Sequence, residues 1–195
     1  MNLVEQDLFT EAQRVLENAE LVVTAQQIDQ TISQLASEIN AQFVKTDLPI
    51  IILPVMNGGL ILGGHLISRL EFPLVVDYLH ATRYRDSTSG KDLQWKAKPQ
   101  QSLKGRHLLI VDDILDEGYT LEAVLDYCNA QEVASVHTVV LVEKDHPRPK
   151  ANIKCDFTGL QVADKYVFGF GMDYKGYHRN LSAIYAVNDS ELNNE

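Results

Sequence analysis

The sequence predicts an α/β protein built on a parallel β-sheet. Three observations carry that prediction. Short β-branched apolar runs recur through the middle of the chain: "LPIIILPVM" (48–56), "PLVVDYLHATRY" (73–84), "RHLLIVDDI" (106–114) and "SVHTVVLVEKD" (135–145). Helix-like stretches separate several of them. The runs are nearly continuous in apolar character, as parallel strands are when both faces of the sheet are covered.

The elements follow in order. In residues 3–43, Leu8, Ala12, Val15 and Leu16 share one helical face, and Ile28, Ile32, Leu35 and Ile39 share a second. Between these helices "LVVTAQQI" reads as a short strand followed by an N-cap at Thr24. The strand at 48–56 leads into a helix over 58–70, and 73–84 reads as one further strand. Polar and glycine-rich, "DSTSGKDLQWKAKPQQSLKG" (86–105) predicts a long loop or hairpin. The strand at 106–114 feeds a helix over 120–131, and the strand at 135–145 follows. Residues 146–195 lose the rhythm; with the N-terminal helices they are expected to form a small lobe. The organisation is one domain over 1–195, with a core at about 45–145 and a hood from about 1–40 and 146–195.

Bulk properties narrow the function classes. A chain of 195 residues can bury a real core. Its net charge of −10 argues against a nucleic-acid surface, which needs a basic face. The start lacks the basic and apolar regions of a signal peptide, and Pro54, Asn57 and glycines cut the longest apolar stretch. Cys128 and Cys155 have no metal-ligand spacing and read as free thiols in a reducing compartment. These features describe a cytoplasmic enzyme or binding protein, with no membrane and no nucleic-acid partner.

In open α/β sheets, ligands bind at the carboxyl ends of the strands. The chemically unusual stretches "MNGG", "ATRYRDS", "DDILDEGYT" and "EKDHPRP" each follow a predicted strand. The third holds four carboxylates and no cation: Asp112, Asp113, Asp116 and Glu117. Clustered acids repel one another, so a bound cation or a set of hydroxyls is expected there. Asp112 and Asp113 would point to opposite faces of a continuing strand. Gly118 permits a tight left-handed turn, and Thr120 is expected to cap the following helix. Backbone amides at such a helix start suit a phosphate, and the carboxylates suit sugar hydroxyls. A 5-phosphorylated ribose has both features. A solvated acidic helix start is the plain alternative, and it leaves the paired acids unexplained.

The pattern of apolar strand, two acids, two apolar residues, Asp, any residue, Gly, any residue, Thr resembles the phosphoribosyl diphosphate (PRPP) signature of type I phosphoribosyltransferases. Over roughly residues 45–185 the chain is similar to the hypoxanthine-guanine phosphoribosyltransferases. That resemblance implies a Rossmann-like core with a small hood, and purine salvage by transfer of the 5-phosphoribosyl group of PRPP to N9 of hypoxanthine or guanine. The products are IMP or GMP and diphosphate. Asp112, Asp113, Asp116, Glu117, Gly118, Tyr119 and Thr120 would hold the ribose phosphate, with Asp116 as general base on N7 of the purine. "VMNGG" resembles the family's diphosphate loop, with Met56, Asn57 and Gly58 and an often cis Met56–Asn57 peptide; Arg179 would join them. Arg83 and Tyr84 resemble the mobile lid. In "VEKDHPRP", Lys144 would donate to the 6-oxo group. In "DKYVFGFGMDYKGYHRNL", Tyr166 would stack on the base, the Val167 backbone would meet its 2-position, and Asp173 would sit near a second metal ion.

The cofactor implied is Mg²⁺, held by Asp112, Asp113 and Asp173. The partners implied are PRPP, a 6-oxopurine and further copies of the chain in a homodimer or homotetramer. Three positions depart from the family pattern. Asn57 stands where relatives commonly carry lysine, and Glu117 and Tyr119 stand where they often carry Thr and Lys or His. Rival readings are a xanthine-preferring enzyme, a nucleotide-sensing regulator on the same fold, and a Mg²⁺-dependent phosphatase using Asp112 or Asp113 as nucleophile.

Overall fold

The computed structural model describes residues 3–46, 49–83, 93–148 and 151–192. The elements run α1 (Leu3–Asn18), β1 (Glu20–Val23), α2 (Ala25–Phe43), β2 (Ile50–Pro54), α3 (Gly59–Ile67), β3 (Leu74–Val76), β4 (His80–Arg83), β5 (Leu93–Ala97), β6 (His107–Leu115), α4 (Tyr119–Asn129), β7 (Ser135–Asp145), β8 (Phe157–Ala163), β9 (Val167–Phe168), β10 (Ile184–Ala186) and α5 (Asp189–Leu192).

Five strands pair in parallel in the order β3-β2-β6-β7-β8. Strand alternation divides their side chains between two cores. Ile50, Ile52, Leu109 and Val111 face α2 and α3 on one side, where Ile28, Ile32, Leu35, Ile39 and Leu62 pack. Ile51, Leu53, Leu108 and Ile110 face the other side, against Leu121, Val124 and Cys128 of α4. Burying each such side chain stabilises by about 1.5–3 kcal/mol. This explains why the strands read as uninterrupted apolar runs. The predicted Thr24 cap is present as a full capping box, with the Thr24 hydroxyl accepting from Gln27 N–H and the Gln27 side chain accepting from Thr24 N–H.

Three differences from the sequence expectation have physical causes. Residues 73–84 do not form one strand. β3 joins the parallel sheet, and after Asp77 the chain turns so that β4 pairs antiparallel with β5 in a separate ribbon. The Asp77 carboxylate accepts from the N–H groups of Tyr78, Gln100 and Gln101 and so ties both legs of that excursion together. The sheet also does not end at residue 145, because β8, within the segment assigned to the hood, is its fifth strand. Its alternation is weak, with partly exposed residues from Phe157 to Leu160, as suits an edge strand.

The third difference concerns the N-terminal helices, which separate. α2 packs in the main core, while Ala12 and Val15 of α1 pack on Phe168, Tyr174 and Val187. The hood therefore consists of α1 and the antiparallel sheet β1-β10-β9. Cys128 and Cys155 are buried free thiols. No helix among the described residues is long and apolar enough to cross a membrane.

Candidate active site

The carboxyl ends of β2, β6 and β7, the β4–β5 ribbon and the hood enclose a cavity of about 760 Å³. It is lined by Met56, Asn57 and Gly58 from the turn after β2, and by Asp112, Asp113, Asp116, Glu117, Gly118 and Thr120 from the end of β6 and the start of α4. Lys144 joins from β7, and Tyr166, Val167, Asp173 and Arg179 from the hood. Among the remaining sequence-predicted residues, Tyr119 begins α4 outside this lining. Arg83 ends β4, and Tyr84 lies outside the described residues.

The β2 turn is packed tightly against the acids. The Met56–Asn57 peptide is cis. A Cβ on Gly58 would lie 2.3 Å from Asp113 Oδ2, and one on Gly59 would lie 2.2 Å from the Val111 carbonyl oxygen. Only glycine lets this turn reach the end of β6. Gly171, at φ +104°, does the same from the hood: a Cβ there would meet Gly58 O at 2.4 Å. Arg179 Nη1 donates to Gly171 O at 2.6 Å, and Nη2 pairs with Asp173 Oδ1. Its Nη1 lies 3.9 Å from Asp113 Oδ2. Arg179 thus stands between Asp113 and Asp173 and leaves them as two separate acidic positions.

Asp112 and Asp113 both line the cavity, although they alternate along β6. At the carboxyl end of a sheet the cavity opens past the edge, so both faces reach it. Burial, then repulsion by Asp113, pushes the Asp112 carboxyl well above the ordinary carboxylate range. Burial also raises Asp113, against the pull of Arg179. Adjacent hard oxygen donors that resist ionisation on their own suit a divalent cation. No group of three or more His, Cys, Asp or Glu side chains gathers into a metal cluster among the described residues. A pair of carboxylates with space for water and substrate oxygens is the usual Mg²⁺ arrangement, so this donor set fits that ion.

The expected cap at Thr120 is not formed. α4 starts one residue earlier, and Gly118 is the N-cap at φ +82°, with no side-chain cap. Glycine is required there because a Cβ at positive φ is strained and would also press on Ile153 at 3.1 Å. No side chain caps this helix start, and a helix N-terminus suits an anion.

On the β7 side, Lys144 is buried. Its Nζ donates to Asp116 Oδ2 at 3.0 Å, so Lys144 is not a surface partner of Asp145. Arg148 Nη2 donates to Asp116 Oδ1 at 2.8 Å and to Asp164 Oδ1 at 2.7 Å. Burial would raise the Asp116 carboxyl, but the hydrogen bond and charge of Lys144, then Arg148 and His146, outweigh it and hold the group below its ordinary range. Tyr166 is exposed to the cavity and meets Tyr174 edge-on at 5.5 Å; it is not a core aromatic.

Sequence reasoning missed His80 and Lys96 on the ribbon, and Arg148, Asp164 and Lys165, all in the lining of the cavity. Burial, then the charges of Lys96 and Arg179, hold the His80 imidazole below its ordinary range. Nothing in the local sequence marks His80 or Lys96, because the ribbon brings them in. Arg148 did leave a signal: Lys144, His146 and Arg148 are spaced by two, which is strand alternation continued past the end of β7.

The phosphate-suited helix start, the paired acids and the glycine turn share one cavity with a buried lysine and an exposed tyrosine. Comparison with known proteins agrees with that combination. The family model of the phosphoribosyl transferase domain matches residues 20–175. The hypoxanthine-guanine phosphoribosyltransferase of Bacillus subtilis (strain 168) is 31% identical over 165 residues, covering 84% of this chain and 90% of the relative. The hypoxanthine-guanine-xanthine phosphoribosyltransferase of Tritrichomonas foetus is 28% identical over 188 residues, covering 96% of this chain and 98% of the relative. The crystal structure of a hypoxanthine phosphoribosyltransferase from Staphylococcus aureus superposes with a TM-score of 0.81 at 25% identity, covering 88% of this chain and 92% of that one.

Proposed function

The chain belongs to the hypoxanthine-guanine phosphoribosyltransferases of the type I phosphoribosyltransferase family, and from that membership we propose that it transfers the 5-phosphoribosyl group of PRPP to N9 of hypoxanthine or guanine. The bond from C1 of the ribose to diphosphate breaks, the bond from C1 to N9 forms, and the proton on N7 leaves to a base. The observation that carries this reading is the contact of Lys144 with Asp116 at 3.0 Å beside the helix start at Gly118. One side of that cavity suits a phosphorylated ribose, and the other suits a 6-oxopurine.

Each residue has a defined task in this reading. The amides at the start of α4 hold the 5-phosphate. The turn at Met56, Asn57 and Gly58, with Arg179, receives the charge growing on the diphosphate. The positive flank of Lys96 and Arg179 adds to that field. Lys144 donates to the 6-oxo group, and an amino group there would leave a buried ammonium opposed by a donor, which disfavours adenine. Tyr166 covers one face of the base, and the backbone at Val167 meets its 2-position. Asp116 accepts the N7 proton. Asp112 and Asp113, and separately Asp173, are the residues that would hold Mg²⁺, which when bound neutralises the diphosphate and orients the ribose hydroxyls. The lid assigned to Arg83 and Tyr84 excludes water from the reacting sugar. The reading extends to a homodimer or homotetramer in the cytoplasm, after the family pattern.

The test is a spectrophotometric assay with PRPP, Mg²⁺ and, in turn, hypoxanthine, guanine, xanthine and adenine. Turnover of hypoxanthine or guanine but not adenine is expected. Turnover of adenine would remove the role given to Lys144. Absence of turnover with every base would overturn the reading in favour of a nucleotide-sensing protein.

A further inference from the structure

Asp116 is met by three basic side chains, and they are not equivalent. Lys144 Nζ lies 3.0 Å from Oδ2, Arg148 Nη2 lies 2.8 Å from Oδ1, and His146 Nε2 lies 2.9 Å from the same Oδ1. Arg148 is half-exposed and divides its guanidinium among Asp116, Asp164 and Glu117. The His146 side chain is fully buried. Despite its short distance to Asp116, it is bent out of hydrogen-bond alignment, and neither ring nitrogen has a hydrogen-bond partner among the described residues. Buried polar atoms are rarely left so, and an exception calls for an explanation.

The purine reading of the preceding subsection supplies one, and the inference rests on it. A Lys144 ammonium that turns to the base carbonyl loosens its hold on Oδ2. Asp116 must then stay aimed at N7 by other means. Arg148 is shared and exposed, whereas His146 is enclosed and already within reach of Oδ1. We propose that His146 is a positioning residue for Asp116: its Nε2–H aligns on Oδ1 as Lys144 engages the purine, and it keeps the carboxylate directed at the N7 proton. A rotation of the ring and carboxylate suffices, because the two atoms are already 2.9 Å apart. The groups that set the charge around Asp116 are Lys144 on β7, His146 and Arg148 on the following turn, Glu117 on its own turn, and Asp164 and Lys165 across the cavity.

The experiment compares wild type with His146→Leu, which removes the donor, and His146→Gln, which offers an amide near the Nε2 position. His146→Leu is expected to lower kcat about 10-fold or more through misaimed proton transfer, with KM for PRPP little changed. The acid limb of its kcat profile is expected to move to higher pH, because Asp116 loses a donor that favours its charged form. His146→Gln is expected to restore most of kcat and return the limb. Wild-type kcat and an unmoved acid limb in folded His146→Leu would overturn the proposal. A second measurement keeps it testable if that variant does not fold. Multiple-bond ¹⁵N–¹H NMR of histidine-labelled wild type reads the tautomer: Nε2–H at His146 supports the role, and Nδ1–H overturns it. Absence of wild-type turnover with any purine would instead overturn the phosphoribosyl-transfer reading, and this inference with it.

Discussion

Lys144 Nζ and Asp116 Oδ2 hold each other at 3.0 Å in the lining of the cavity. The group assigned to recognise the purine carbonyl and the group assigned to remove the purine proton are therefore one ion pair. The contact restrains both side chains, and the Lys144 hydrogen bond and charge favour the ionised form of Asp116. On the proposed assignment a 6-oxopurine would satisfy both at once, by accepting from Lys144 and donating N7–H to Asp116. A 6-aminopurine such as adenine would offer a donor where Lys144 needs an acceptor. In that reading, selectivity and base strength would be coupled through a single contact.

Asp116→Asn is expected to reduce kcat by about 10²-fold or more, since an amide cannot take the N7 proton. The same change should flatten the acid side of the stability profile. The folded-state pKa of Asp116 is held below its ordinary value, so its contribution is present above the unfolded carboxylate pKa and is lost as pH falls through the lowered folded one. Thermal melts of wild type and variant from neutral pH down to about pH 3, together with steady-state rates, check both points. A variant that folds and keeps wild-type kcat would remove Asp116 from the base role.

Gly59→Ala is expected to destabilise the fold, although a glycine-to-alanine change in a helix is usually favourable. Its Cβ would sit 2.2 Å from the Val111 carbonyl, a backbone atom that cannot swing away. Overpacking of this kind costs about 1–3 kcal/mol. Urea titration of the variant against wild type measures it, and an unchanged midpoint would mean that α3 shifts freely on β6.

How much of this was legible in the sequence depended on the range of the interaction. Strands β2, β6 and β7 were visible because each is apolar on both faces, and the Asp112–Thr120 turn was visible because its residues are contiguous. β8 was missed because an edge strand need not be uniformly apolar. The break between β3 and β4 was missed because it depends on Asp77 capping the distant Gln100 and Gln101 amides. Lys144 was assigned a role, but its pairing with Asp116 is a contact across 28 residues that no local pattern announces. The same holds for Arg179, whose position between Asp113 and Asp173 is set by the hood.

Cys128 and Cys155 are expected to resist alkylation in the native protein. Burial pushes the Cys128 thiol up to about 11 and, as the largest influence, Cys155 up to about 12. Thiolate is the reactive form, so little of it exists at neutral pH even where reagent can reach. Labelling with a chromogenic disulfide reagent should be slow at pH 8 and complete on unfolding in guanidinium chloride. Fast stoichiometric labelling of the native chain would show that the core on the α4 side, which holds both cysteines, opens readily.

Asp112→Asn is expected to raise the melting temperature of the ligand-free protein while weakening its response to substrate. The Asp112 pKa is well above the ordinary value because the carboxyl is buried and Asp113 adjoins it. A carboxyl with a raised folded-state pKa binds its proton more tightly folded than unfolded. Stability therefore falls as pH rises from the unfolded value through the folded one, and the full penalty remains above it. The amide carries no such penalty and keeps the oxygen that accepts from Asp113 N–H at 3.0 Å. At pH 8 without ligand the variant should melt a few degrees above wild type, on the order of what about 1 kcal/mol gives a chain of this size. Adding Mg²⁺ and PRPP should reverse the order. Wild type then gains stability from a cation that favours the ionised pair, while the variant, with one hard anionic donor fewer, gains much less. Equal ligand-induced shifts in both proteins would remove Asp112 from the metal and ribose site, whatever the activity of the variant.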